Sequence, residues 1–224
     1  MQGPKNVTEN YSRKDGITDF ILKHCRETYD APKITKEDIF YYVYGLLHSP
    51  DYRTTFAADL KKMLPRLPIV DSVNDFWAFS KAGRDLASLH LNYEEQSACP
   101  AVKVEGADTG DFHVDKMRFP SKADKSVIQY NTHIKLSNIP LEAYDYVING
   151  RSAIEWIMER YQVKTDKASG IVNDPNDWAE EHGKPRYILD LLLSIVTVSL
   201  ETLKIVKGLP RLKFEASAPE QSAE

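Results

Sequence analysis

The apolar residues of this chain change their spacing twice, and that change limits the fold more than any single motif does. Over roughly the first ninety residues they recur every three or four positions, as on helices; between His113 and Ile148 they alternate, as on half-buried strands; from Ser152 onward the helical spacing returns. The pattern predicts an α+β domain with an N-terminal helical layer, a central mostly antiparallel sheet and C-terminal helices packed on it.

The helical signals are local. Ile17 to Cys25 is a short apolar segment. Thr35 with Asp38 three residues on approximates a capping box for a helix running through His48, and Ser49 with Pro50 suits the start of a second. Tyr52, Phe56, Leu60 and Leu64 recur every four residues and are expected to form one buried stripe. Leu64 to Pro68 (LPRLP) then ends that helix, because proline lacks an N–H and disfavours a helical predecessor. A third helix is expected from Asn74 or Asp75, with Phe76, Phe79, Gly83 and Leu86 on one face. Phe40, Tyr41, Tyr42 and Tyr44, and Trp77 and Trp156, sit in helical patterns and read as core. Near the C-terminus, the run Leu191 to Leu200 (LLLSIVTVSL) is bounded by Asp190 and Glu201. A bilayer span needs about 20 apolar residues, so this is expected to be part of a buried helix from Arg186 to Val206, with no membrane partner.

Cys99 to Gly110 is turn-rich. In Ser126 to Leu136 (SVIQYNTHIKL), read as one strand, Ile128, Tyr130, Thr132, Ile134 and Leu136 are expected to face the core, and Gln129, Asn131, His133 and Lys135 to face outward. In HVDKMRF, Met117 and Phe119 point in, Lys116 and Arg118 out. A short strand from Ala143 to Ile148 runs into the turn Asn149-Gly150, and Ser152 with Glu155 caps a helix carrying Ile154, Ile157, Met158 and Tyr161. Asp166 to Pro185 reads as a long loop.

Residues 1–16 are expected to be a linker, 17–210 the domain proper (helical part 17–95, sheet-plus-helix part 96–210) and 211–224 a disordered tail. Glu215 to Glu224 holds three acids and no base, so most of the formal charge of −4 lies there and global charge decides nothing about nucleic acid. The polar N-terminus lacks a signal core, and Cys25 and Cys99 form no CxxC pair. A cytoplasmic protein without disulfide or zinc is expected.

Catalytic signatures are missing. Gly183-Lys184 has Trp178 where a P-loop needs its first glycine; Asn173-Asp174-Pro175-Asn176 has one proline and no aromatic, unlike the base-holding motif of an amino-methyltransferase. Asp108, Asp111, Asp115 and Lys116 match no metal-nuclease spacing. The six histidines show no ligand pattern, and no serine sits in a nucleophile elbow.

What remains is a binding surface. His113 to Lys135 holds five Lys/Arg against two Asp, a local net of +3, interleaved with amides. Lys116, Arg118, Lys135, Lys164 and Lys167 are candidates for phosphates; Gln129, Asn131, His133, Ser169 and Asn173 are candidates for base edges, since Asn and Gln can bond adenine bidentately and cations suit phosphate and guanine. The solvated face of an ordinary antiparallel sheet has the same polar composition, and Asn, Asp and Pro also simply build turns.

Several long blocks resemble one family. Ile34 to Pro68, Phe76 to Glu94, the KMRF segment, Ile128 to Pro140 and Tyr144 to Trp178 are similar, in order, to the C-terminal region of Type ISP restriction-modification enzymes. In that family one polypeptide joins a nuclease, a translocating ATPase, a coupler, an adenine methyltransferase and a C-terminal target-recognition domain. The resemblance implies that this chain is the last of these and reads duplex DNA. It further implies that catalysis, with S-adenosylmethionine, ATP and Mg2+, belongs to the other parts, and that the methyltransferase domain is a partner. It assigns no base-contacting positions. The alternative is a protein-docking module that packs against the methyltransferase or a partner chain without reading DNA.

Overall fold

The computed structural model describes residues 15–63 and 66–212; most of the expected linker and tail, and Leu64 of the expected stripe, lie outside the described residues. Two compact units emerge: Met1–Arg84 with Pro210–Glu224, and Asp85–Leu209.

The first unit is helical. Helix α1 (Asp19–Tyr29) is capped by the Thr18 side chain, which accepts from Ile21 N, and α2 (Lys36–His48) by the reciprocal capping box of Thr35 and Asp38. Helix α3 (Pro50–Thr55) starts on the Ser49 side chain with Pro50 in its first turn. The first turns of α4 (Val73–Leu91) also belong here. Phe76 and Phe79 of α4 are buried and pack on Tyr42 of α2, with ring centroids 4.9 and 6.0 Å away.

Two glycines set how closely α2 and α4 approach. A Cβ at Gly45 would lie 2.3 Å from the Phe79 carbonyl oxygen, and one at Gly83 only 1.8 Å from that of Tyr41. Three tyrosines then pin the connection to α4 by hydroxyl bonds to its backbone: Tyr52 to Arg66 O (2.7 Å), Tyr42 to Pro68 O (2.6 Å) and Tyr29 to Val70 O (2.5 Å). A proline-rich segment with few N–H groups has carbonyls to spare, and these hydroxyls satisfy them.

The expected buried stripe does not form. Helix α3 stops at Thr55, followed by a single 3-10 turn at Asp59–Lys61; Tyr52 is buried, but Leu60 is exposed. Thr54-Thr55 favours helix weakly, and the Tyr52 hydroxyl bonds the returning chain at Arg66 O. Phe40 and Trp77, expected in the core, are exposed as well.

In the second unit the core lies between a small sheet and helix α7 (Tyr187–Lys207). Strands β1 (Lys103–Glu105), β2 (Ile128–Gln129) and β3 (Lys135–Ser137) pair antiparallel in the order β1-β3-β2. The single strand expected over Ser126 to Leu136 is thus a hairpin, folded at Asn131 to His133, with Ile128 opposite Leu136 and Gln129 opposite Lys135. Folding back kept the alternation: Ile128, Tyr130, Ile134 and Leu136 are all fully buried, whereas Thr132 sits exposed at the turn. Burying each of these large side chains stabilises by about 1.5–3 kcal/mol. Strand β1 falls in the stretch expected to be turn.

Helix α7 supplies the other wall, with Leu189, Leu192 and Val196 fully buried. Its hydroxyl residues bind carbonyls of the segment after α4: Ser194 to Tyr93 O and Thr197 to Ser97 O (2.7 Å). No helix among the described residues is long and apolar enough to cross a membrane. Strands β4 (Val147–Ile148) and β5 (Arg151–Ser152) form a ribbon through the Asn149-Gly150 turn, where φ is 49° and 83°. The first half of the strand expected over Ala143 to Ile148 is instead a 3-10 helix, Leu141–Asp145, and only Val147–Ile148 is extended as strand. Helix α5 (Ala153–Arg160) follows, capped by Ser152 and Glu155. The expected long loop is structured too: β6 (Lys164–Thr165) pairs with β7 (Val172–Asn173), and α6 (Asn176–Glu181) precedes α7.

Candidate nucleic-acid interface

Arg118, Gln129, Lys135 and Glu105 form one row across the outward face of the sheet. Arg118 bridges Gln129 through a reciprocal backbone pair (3.0 and 2.8 Å), Gln129 faces Lys135, and Lys135 faces Glu105. With neighbouring strands about 4.8 Å apart, the row is roughly 14 Å long. The Lys135 ammonium lies 2.6 Å from Glu105 Oε2, and its hydrogen bond holds the Glu105 carboxyl below the usual range. Part of the positive charge of this face is therefore compensated on the sheet itself.

The amides beside this row hold the hairpin. Asn131 donates to the carbonyls of Asp111 and His113 (both 2.9 Å) and accepts from His133 N (2.9 Å) and Ile134 N (2.7 Å), which uses its full capacity. Gln129 Nε2 donates to Asn131 O (2.8 Å) and Ile134 O (3.1 Å). His133 is exposed, with Nε2 3.7 Å from Asp111 Oδ2.

Lys116 lies on the other side of Met117, where it lines a cleft of about 280 Å3 with Phe119, Arg151, Met158 and Gln162. Glu155 and Glu159 complete the cleft. Burial alone would raise the Glu155 carboxyl, but hydrogen bonds from Lys125 (2.8 Å) and Ser152 outweigh it and hold it below the usual range. Glu159 bonds Arg151, whose guanidinium lies 5.1 Å from the Trp156 ring centroid, and Lys164 stands 3.9 Å from the same carboxylate.

The β6–β7 ribbon is exposed at every residue from Lys164 to Asn173. Its tip is nonetheless ordered by one carboxylate. Asp166 Oδ1 accepts from Ala168 N (3.0 Å), Ser169 N (2.8 Å) and Ser169 Oγ (2.8 Å), and these bonds, those from Ser169 foremost, keep the Asp166 carboxyl below its usual value. Gly170 closes the turn in the left-handed region (φ 73°), donating to Asp166 O at 2.8 Å. Ser169 thereby shapes the turn, while Lys167 and Asn173 are exposed to solvent and Lys164, also exposed, stands beside Glu159.

The ribbon's base is tied to the segment before Met117. Val163 N donates to Asp115 O (2.9 Å), and buried Asn176, a residue that could have reached bases by composition, instead bonds Val114 through both N and O (3.0 Å each). These ties bring Lys116 and Lys164, far apart in sequence, onto segments joined by hydrogen bonds. Sequence pattern offered no signal for this clamp, because a buried Asn and a turn-forming Asn look alike.

The acidic residues weighed as a metal site act locally. Asp111 caps His113 N (3.2 Å), and Asp115 lies 3.5 Å from the His113 ring. Among the described residues no group of three or more His, Cys, Asp or Glu is placed to hold a metal ion.

Known proteins share this fold. The chain is similar to the solved structure of the ATP-dependent Type ISP restriction-modification enzyme LlaBIII bound to DNA, with 41% identity over 95% of this chain and 13% of that one (TM-score 0.82). It is similar to a nuclease-deletion mutant of the Type ISP enzyme LlaGI in complex with a DNA substrate mimic, with 48% identity over 81% of this chain and 14% of that one (TM-score 0.75). It also resembles the DrdV–DNA complex, with 31% identity over 91% of this chain and 21% of that one (TM-score 0.75). The chain thus spans between 13% and 21% of the length of these relatives. Among curated proteins none matches it. The family model for the Type ISP C-terminal specificity domain matches residues 2–191, and the chain belongs to that family.

Proposed function

We propose that this domain recognises a short duplex DNA sequence on behalf of a larger restriction-modification polypeptide and contributes no catalytic group. The observation that carries the reading is the β6–β7 ribbon: an ordered, solvent-exposed two-stranded element with Lys164, Lys167 and Asn173 on it, of a size that enters a major groove. The DNA-bound relatives support it, at 41% and 48% identity. Lys116, Arg118, Lys164 and Lys167 position phosphates, and Asn173 meets a base edge. Gln129 and Asn131 build the neighbouring hairpin, and Lys135 is shared with Glu105. Nuclease, ATPase and methyltransferase chemistry, with Mg2+, ATP and S-adenosylmethionine, then belongs to the rest of such a polypeptide, which works in the cytoplasm.

A titration of the full chain with duplex DNA across salt concentrations tests this. Neutralising four phosphates gives a slope of log K against log salt of about −3.6, at about −0.9 per phosphate. Binding that is absent, or indifferent to salt, overturns it.

A second role rests on exposed aromatics in the helical unit. Phe20 is 75% and Phe40 55% exposed, and large exposed apolar side chains of this kind suit docking on the methyltransferase part of the same polypeptide. Phe20→Ser with Phe40→Ser then weakens association with that part while leaving DNA affinity unchanged.

A further inference from the structure

We propose that Ile171 reads the 5-methyl group of a thymine in the major groove, so that the target of this domain contains an A·T pair contacted through the β6–β7 ribbon; this rests on the DNA-reading function above. Strand register places the side chains. Lys164 faces Asn173 and Thr165 faces Val172, so alternation puts Lys164, Asn173 and Ile171 on one face of the ribbon and Thr165 with Val172 on the other. Ile171 is 67% exposed and contributes no core packing.

The ribbon fixes where that side chain goes. Asp166 N donates to Ile171 O (2.8 Å), and Ile171 N donates to Ser169 Oγ (3.3 Å), which couples Ile171 to the same carboxylate-centred turn that orders the tip. Along a strand, residues two apart are separated by roughly 7 Å, close to two base-pair steps of about 3.4 Å. Asn173 and Ile171 thus match positions two base pairs apart on one groove floor.

Groove chemistry then selects the partner. A bidentate amide suits adenine N6 and N7. A branched apolar side chain has one apolar partner on the major-groove edges, the thymine methyl; against any other edge it would desolvate polar atoms without replacing their hydrogen bonds. Lys164 and Lys167 flank the pair with the charge needed at phosphates.

The test uses the full chain and a pool of duplexes with randomised central positions. Selection is expected to enrich a sequence with a thymine whose replacement by uracil, which removes only the methyl, weakens binding about fourfold, the factor that burying one methyl-sized group supplies. Ile171→Ser brings that ratio to about one; Ile171→Val retains it, and Val172→Ser, altering the opposite face, retains it too. An enriched sequence in which no thymine-to-uracil change matters, or a ratio that survives in I171S or is lost in V172S, overturns the assignment to Ile171 while leaving DNA reading intact. Failure to enrich any sequence overturns DNA reading itself, and this inference with it.

Discussion

The side-chain amide of Asn176 pairs with the backbone of Val114, accepting from its N–H and donating to its carbonyl at 3.0 Å each, with both residues buried. Asn176→Ala would leave two buried backbone groups without partners and is expected to cost roughly 2–4 kcal/mol. Asn176→Asp should also destabilise, because a carboxylate cannot donate to the Val114 carbonyl and would lie beside Asp174, which already bonds this side chain at 2.7 Å. Urea unfolding of the two variants checks this.

Gly83→Ala should lower stability, by about 1–3 kcal/mol or more, although alanine favours helices over glycine by about 1 kcal/mol. The sign follows from the 1.8 Å between the added Cβ and the Tyr41 carbonyl oxygen, which is backbone and cannot swing away. Thermal unfolding measures it. An unchanged or raised Tm would mean that α2 and α4 tolerate a wider separation.

Asn131 and Asn173 separate folding from recognition. Asn131→Ala removes four hydrogen bonds around the β2–β3 turn and is expected to cost about 2 kcal/mol of stability without altering which DNA sequence is preferred. Asn173→Ala, in an exposed ribbon, should leave stability within about 0.5 kcal/mol and relax base preference at one position. Unfolding curves and sequence selection on the same two proteins decide.

Lys164→Ala and Lys167→Ala should weaken binding to all duplexes alike. Each should reduce the magnitude of the salt slope by about 0.9 if it neutralises one phosphate. A variant that changes sequence preference instead has lost a base contact.

Asp38 gives the stability a pH signature. Burial would raise its carboxyl, but bonds from Thr35 and Arg84 outweigh that and hold it below its ordinary 3.8. A lowered folded value contributes stability that is full above 3.8 and lost as pH falls through the value held by the fold. Asp38→Asn, which loses the capping-box carboxylate and the Arg84 pair, is expected to be about 1 kcal/mol less stable at pH 6, the partly exposed Arg84 adding little through solvent screening. That gap should narrow toward pH 3 in urea unfolding, while a constant gap would show that the charge of Asp38 is not what matters.

Periodicity made the architecture legible. The helices around Tyr42, Phe76 and Leu192 and the buried face of Ile128, Ile134 and Leu136 were all readable, since each follows from one apolar residue per turn or per pleat. Both capping boxes were readable from two residues each. The turn at Asn131 was hidden because its loop preserves parity: the inward and outward sets stay the same whether the segment is one strand or two. Helix α3 was read too long, because a stripe of four apolar residues says nothing about the Tyr52 hydroxyl that captures the returning chain. The roles of the amides were not legible. Composition cannot tell an asparagine aimed at solvent, such as Asn173, from Asn131 or Asn176, whose hydrogen bonds close on distant backbone.

The ribbon from Lys164 to Asn173 orders its tip through Asp166, Ser169 and Gly170, and its anchorage lies behind it, at Val163 and Asn176. Residues 164, 167, 171 and 173 can therefore be exchanged with little penalty to the rest of the molecule. Such an element behaves as a cassette: mutation there is nearly neutral for folding. If the ribbon reads DNA as proposed, a lineage carrying this scaffold could drift from one target to another by single substitutions, each intermediate remaining a folded protein.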